Sequence, residues 1–291
     1  MGVTANLKEL TTEVLCDGFD FLEGPRWHGD RLWVSDLFRQ RVYTVTPDGS
    51  ATEVAVVEGV PSGIGFLPDG RALIVSMQDR KVMRLEHDGS LEVHADLTPL
   101  VGDDSILNDM MTDSDGWSYV GNIGYDSVRG AEPKPGNIVL VSPTGSASVT
   151  NSGDLDLPNG CGLLPGGATM VTSESVAHRL LAWDVVDHTL TNRRVYSDLP
   201  DKLPDGLTVD AAGGVWVACF LSHEFLRLED GTVTHRIATG NRRAVSCTLG
   251  GENRRTLFCL TADTSLEDLA QGRAKSRIET VIVDIPGASS P

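Results

Sequence analysis

The sequence predicts an all-β protein, a six-bladed β-propeller with blades of four antiparallel strands. Three observations carry the prediction. A short β-patterned run returns six times, Asp-Gly and Gly-Gly turns fall between the apolar segments, and long amphipathic helices are nearly absent.

The recurring runs occupy residues 32–36, 73–77, 118–122, 170–174, 215–219 and 257–261, at steps of 41, 45, 52, 45 and 42. That is the period of a four-stranded blade. Turn signals stand at Asp48-Gly49, Asp69-Gly70, Asp88-Gly89, Asp115-Gly116, Gly166-Gly167, Gly213-Gly214 and Asp230-Gly231. Such pairs supply the positive φ of tight hairpins. In the first repeat, residues 41–45 and 52–56 read as the next two strands, and residues 81–85 and 91–94 do so in the second. The Gly- and Pro-rich stretch 128–137 widens the third repeat as an exposed excursion. Residues 265–272 read as a short helix with a Ser N-cap and a terminal Gly. The last repeat is one strand short. Residues 9–16 are β-patterned and are expected to supply that outer strand, sealing the ring and hiding an edge. The whole chain, 1–291, reads as one propeller domain with 1–18 as the closing segment. Two separate sandwiches are disfavoured, because the step is uniform and no linker interrupts the middle.

Composition narrows the function. The chain has 291 residues, 40% hydrophobic and 22% charged, with a formal net charge of −17. Nucleic-acid binding needs a basic surface, and anionic lipid attracts basic segments, so neither partner is expected. No apolar run approaches the ~18 residues of a membrane span. The N-terminus shows no basic stretch followed by an apolar one, so no signal peptide is read there. The five cysteines, Cys16, Cys161, Cys219, Cys247 and Cys259, are odd in number and never CxxC-spaced. They read as unpaired thiols of a reducing cytoplasm, Cys219 and Cys259 within apolar runs. A monomer or small homo-oligomer acting on a small molecule is expected.

A propeller directs the first strand of each blade at a central channel, so equal offsets converge on the axis. About ten residues before each recurring run stand Glu23, Ser62, Asn108, Asn159, Asp205 and, last, Val245 or Ser246. Asn-Gly and Asp-Gly begin turns in many proteins, but four carboxylates or amides in register across repeats outweigh that reading. Unpaired carboxylates in a channel are costly and call for a cation. Carboxylate and amide oxygens suit Ca²⁺, and no thiolate or imidazole at these offsets supports a dedicated Zn²⁺ site. Mg²⁺, Mn²⁺ or Zn²⁺ remain possible occupants of an oxygen cage.

Four motifs now stand together: Leu22-Glu23-Gly24-Pro25 with Trp33-Val34-Ser35-Asp36, Leu107-Asn108-Asp109, Leu157-Pro158-Asn159-Gly160, and Leu203-Pro204-Asp205-Gly206-Leu207 with Val209-Asp210. Over almost the whole chain, the sequence resembles the SMP-30/gluconolactonase/regucalcin family of six-bladed propellers, similar in architecture to diisopropyl fluorophosphatase and the paraoxonases. The resemblance implies one divalent metal held by Glu23, Asn159 and Asp205. Asn108 either ligates it directly or touches the metal-bound water and substrate. The implied reaction is hydrolysis of a lactone or related ester. A metal polarises the carbonyl and stabilises the oxyanion. Asp205 serves as general base, or it only ligates while metal hydroxide attacks; both routes stay open. Asp109 is a further channel-facing candidate. Sugar-lactone members often carry an Arg two residues before the Asn of the Asn-Asp pair, where this chain has Ile106, with Met110 and Met111 just beyond. An alkyl group there removes donors and dries the pocket. A substrate less polar than a sugar lactone is expected, touching Ile106, Asn108, Asp109 and Met110. A phosphotriesterase on the same cage and a non-catalytic calcium-binding module are the rival functions.

Other signals are weak. There is no GxSxG elbow, P-loop or GxGxxG. No two of the seven histidines stand at metal-ligand spacing, and His223 reads as a loop residue ahead of a proton-transfer one. Asp17, Asp20, Asp36 and Asp126 read as solvated turn or loop carboxylates.

Overall fold

A computed structural model describes residues 7–126 and 129–288. They form six antiparallel sheets around a common axis, the propeller that the repeat step predicts. The innermost strands are Leu22–His28, Pro61–Phe66, Leu107–Thr112, Pro158–Leu163, Pro204–Val209 and Arg243–Gly250, in blades I to VI. The recurring runs are the second strands, each paired antiparallel to its inner strand. Inner and second strands are buried on both faces, and second strands such as Ala72–Ser76 and Val215–Cys219 read as nearly continuous apolar runs. The outermost strands alternate or are exposed, as Thr189–Asp198 is along most of its length.

The core is divided into wedges. Six clusters of buried apolar side chains fall one to each contact between neighbouring blades. Leu73, Val75, Leu107 and Val120 join blades II and III, for example, while Phe21, Leu32, Val245 and Phe258 join VI to I. Burial therefore holds the ring together blade to blade, and no side chain needs to fill the axis.

The N-terminal segment closes the ring, but in two pieces. Glu13–Phe19 pairs antiparallel with Lys275–Ile282 and completes blade VI. Lys8–Leu10 pairs parallel with Thr232–Ala238 and adds a fifth strand to blade V. The expected single strand at 9–16 is thus shifted toward its C-terminal half. Residues 1–6 of the closing segment lie outside the described residues. The short helix forms as Leu266–Ala270, with Ser265 Oγ accepting from Asp268 N at 3.0 Å. Residues 127 and 128 of the excursion also lie outside the described residues. All five cysteines are free thiols, and Cys161, Cys219, Cys247 and Cys259 are buried. Among the described residues, no helix is long and apolar enough to cross a membrane.

Asp36 departs from the solvated reading. It is fully buried and accepts from Asp20 N at 2.9 Å and Phe21 N at 3.1 Å, satisfying the backbone that leads into the inner strand. Glu174 does the same for Asp156 N in blade IV. Asp126 is also buried, accepting from Arg129 N.

Around the axis the inner strands touch through glycine. A Cβ on Gly160 would lie 2.4 Å from Leu207 N and 2.7 Å from the Gly206 Cα, and one on Gly206 would meet the Ser246 side chain. Backbone cannot yield as a flexible side chain can. Gly160→Ala is therefore expected to destabilise the protein by about 3 kcal/mol, read as a lower urea midpoint at unchanged slope.

Candidate functional site

Every inner strand breaks register at the same level. In blades II to V, Ser62-Gly63, Asn108-Asp109, Asn159-Gly160 and Asp205-Gly206 each face a single residue of the second strand. Blade I breaks at Gly24-Pro25, just after Glu23, and blade VI at Val245. A bulge bends the strand and re-aims a side chain that regular pairing would send to one face. It gives two rows around the channel. The first holds Glu23, Ser62, Asn108, Asn159, Asp205 and Val245, and the second Gly24, Gly63, Asp109, Gly160, Gly206 and Ser246. The uncertainty over blade VI resolves accordingly: Val245 is fully buried in the core, and Ser246 belongs to the next row.

The entry into these strands is strained. Val60, Leu157 and Leu203 take φ of 71°, 59° and 52°, each followed by the proline that opens an inner strand. A β-branched residue in the left-handed region is unusual, and such strain persists only where the surroundings enforce it.

The four oxygen-bearing residues named from the sequence share one environment. Glu23, Asn108, Asn159 and Asp205 are 7, 8, 9 and 8% exposed, while their neighbours Leu22 and Leu107 are wholly buried. Two of their oxygens, and three on neighbouring axial residues, lack partners. Asn159 Oδ1, Asp205 Oδ1, Asp109 Oδ2, Ser62 Oγ and Ser246 Oγ are buried with no hydrogen bond. The Asn159 side chain lies beside the Asp205 carboxylate and favours its charged form. Asn108 Nδ2 donates to Pro158 O at 3.1 Å, which commits one N–H to the wall and leaves Oδ1 available. Glu23 Oε2 accepts from Gly24 N at 3.3 Å.

Electrostatics tie the carboxylates together. Burial pushes the Glu23 carboxyl well above the usual carboxylate range, and the charges of Asp205 and Asp109 push it further. Asp205 is raised well above its ordinary value by burial and then by Asp109, partly offset by Asn159 and the Gly206 N–H. Burial and the neighbouring carboxylates thus both disfavour ionisation of Glu23 and Asp205, and for Glu23 the Gly24 N–H and the Arg26 charge offset part of it.

Sequence reasoning missed Arg26. Its Nη2 lies 3.1 Å from Asp109 Oδ1 and also donates to Met110 O, while Nη1 donates to Pro25 O at 2.8 Å. The pair is nearly buried, with side-chain exposures of 10% and 2%. Arg26 thus stands behind the carboxylates as their fixed positive charge. It also lines a cavity of about 70 Å³ on the far side of the channel, with Trp27, Thr112, Leu207, Thr248 and Gly287. No spacing rule links Arg26 to Asp109, and the bulge that turns Asp109 inward has no clear sequence signature.

Ile106 and Met110 depart from expectation. At 1% and 0% exposure, both sit in the apolar wedge between blades II and III instead of facing a substrate. Met110 follows the bulge, resumes regular pairing opposite Val120 and so points into the blade. His223 hydrogen-bonds Arg242 O and Arg243 and reaches none of the axial oxygens by a hydrogen bond.

A divalent cation fits this donor set. Among the described residues, no cluster of three or more His, Cys, Asp and Glu side chains forms a metal group. The axial donors are a mixture instead: Glu23 and Asp205 with the amides Asn108 and Asn159, and Asp109 paired with Arg26. Hard oxygens left without partners in a buried channel are what Ca²⁺ coordinates.

Comparison with known proteins places the fold. Pentonolactonase XacC of Haloferax volcanii is 26% identical over 251 residues, 82% of this chain and 81% of that protein. A luciferin-regenerating enzyme superposes with a TM-score of 0.84 at 19% identity, covering 96% of this chain and 97% of its own. A calcium-binding regucalcin from Agrobacterium tumefaciens gives 0.80 at 20% identity, covering 98% of each. At those identities the two structures show the shared fold. The family model for the SMP-30/gluconolactonase/LRE-like region matches residues 21–263, which takes in all six inner strands. The ring, its axial carboxylates and amides, and that match place the chain in the SMP-30/gluconolactonase/LRE-like family.

Proposed function

We propose that this protein hydrolyses lactones, or closely related cyclic esters, at a single divalent cation, Ca²⁺ by preference, held by Glu23, Asn108, Asn159 and Asp205. The observation that carries the reading is the set of buried, unpartnered oxygens at the axis, beside two carboxyls whose ionisation is resisted by burial and by neighbouring carboxylates. When bound, such a cation supplies polarisation of the lactone carbonyl and stabilisation of the developing oxyanion. The chain's own groups do the rest. Asp205 takes a proton from the water that adds to the acyl carbon, and Asn159 holds the Asp205 carboxylate in place. The C–O bond of the ring then breaks, and the proton passes to the leaving alkoxide, giving a hydroxy acid. Asp109, oriented by Arg26, presents Oδ2 to substrate hydroxyl or water.

The substrate is less polar than an aldonolactone. Two residues before the first row stand Phe21, Val60, Ile106, Leu157 and Leu203 in blades I to V, an apolar collar with no sugar-binding donor; Val60, Leu157 and Leu203 are partly exposed, while Phe21 and Ile106 back it from the wedges between blades. A panel of gluconolactone, alkyl and aromatic lactones and phosphotriesters, run with and without chelator, tests the reading. The expected result is opening of the apolar lactones, with a loss on chelation of about 100-fold or more. Preference for phosphotriesters, or metal binding without turnover, overturns it.

A further inference from the structure

We propose that Arg243 is the specificity residue of this site and reads a carboxylate carried on an otherwise apolar lactone. The proposal rests on the lactonase reading above. Its starting point is the collar. In blades I to V, the backbone N–H groups of Leu37, Met77, Ile123, Ser175 and Phe220 donate to the carbonyls of Phe21, Val60, Ile106, Leu157 and Leu203, at 2.9 to 3.1 Å. These bonds fix five collar positions as equivalent. In blade VI the matching place belongs to Arg243, which opens the inner strand and pairs with Ala262. Five positions are apolar and the sixth is a guanidinium. Blade VI also stands between blade V, which carries Asp205, and blade I, which carries Glu23.

Arg243 is held and yet not neutralised. Its guanidinium carbon lies 5.4 Å from the centre of the Phe220 ring. Nη1 donates to His223 Nε2 at 3.0 Å and, at 3.5 Å, to Phe220 O and Leu221 O. His223 Nδ1 lies 3.0 Å from Arg242 O, a carbonyl that only accepts, so Nδ1 carries the hydrogen and Nε2 offers its lone pair. The imidazole therefore orients the guanidinium. Nearby cations are committed: Lys202 pairs with Glu224 at 2.6 Å, and Arg242 Nη2 donates to Thr261 O and Lys275 O. Among the described residues, Arg243 makes no ion pair, and its Nη2 makes no hydrogen bond. In a chain of net charge −17, a half-buried guanidinium facing no carboxylate is unusual. Its planar fork matches a carboxylate.

Two measurements test this. The first compares hydrolysis of γ-butyrolactone bearing a γ-carboxylate with that of its γ-carboxamide. Wild type should favour the carboxylate by about 10- to 100-fold in kcat/KM, mostly through KM, and Arg243→Met should erase the preference while leaving the amide rate nearly unchanged. His223→Leu should weaken the preference, and His223→Gln, which keeps an acceptor, should restore part of it. The second is calorimetric binding of a cyclopentanone bearing the same carboxylate against its amide, which needs no turnover. Binding preference that Arg243→Met abolishes supports the proposal even if no lactone is opened, an outcome that sinks only the lactonase reading. No preference in wild type, or one that survives Arg243→Met, overturns it.

Discussion

Asp205→Asn is expected to lower kcat/KM for lactone opening by about three orders of magnitude while the ring stays folded. The amide keeps the shape and one ligating oxygen but cannot accept the proton from water. A second readout follows from burial. The Asp205 carboxyl is raised in the folded, metal-free protein, so folding favours its protonated form. For a raised carboxyl, stability is fully present below the unfolded value and is lost as pH climbs through the folded one. Removing the carboxyl removes that loss. In chelator, Asp205→Asn should therefore be more stable than wild type at neutral pH, with the gap closing in acid at up to about 1.4 kcal/mol per pH unit. Adding Ca²⁺ should stabilise wild type more than the variant. Chemical denaturation across pH checks all three. Retention of most activity would sink the assignment of Asp205 to both roles.

Arg26→Met should give the largest loss of stability outside the glycine contacts, about 3 kcal/mol in metal-free protein. The alkyl chain replaces the volume but leaves Asp109 buried with one backbone N–H, that of Met110, and no counter-charge. The charge it faces then comes from Glu23 and Asp205, both of the same sign. Saturating Ca²⁺ should recover part of the loss. The double variant Arg26→Met with Asp109→Leu should recover most of it, because a buried pair replaced on both sides leaves nothing unpaired. If the single variant is as stable as wild type, Arg26 does not neutralise the cage.

The blade count was legible because its signal is local and repeated. Strand runs such as residues 73–77 and turns such as Asp69-Gly70 lie a few residues apart. Axial placement of Glu23, Asn108, Asn159 and Asp205 followed from the same periodicity. What the sequence concealed depends on contacts between distant segments. Arg26 meets Asp109 across 83 positions. Ile106 and Met110 carry the right chemistry for a pocket wall, but the alternation resuming after the bulge turns Met110 inward. Residues 9–16 were expected as one strand of blade VI, but Glu9 and Leu10 lie in a three-residue strand of blade V, which has too little pattern to choose its partner.

The two-part N-terminal strap has a consequence for biogenesis. Glu13–Phe19 has no partner strand until Lys275–Ile282 has been made, so a segment that precedes blade I waits for the last strand of blade VI. Throughout translation blades I to V can assemble in order, each on its predecessor, while this segment trails free. The final docking event is thus the most non-local and should set the maturation rate. A nascent chain stalled before residue 275 would carry an open seam, and that seam, rather than any single blade, is where a chaperone has reason to bind.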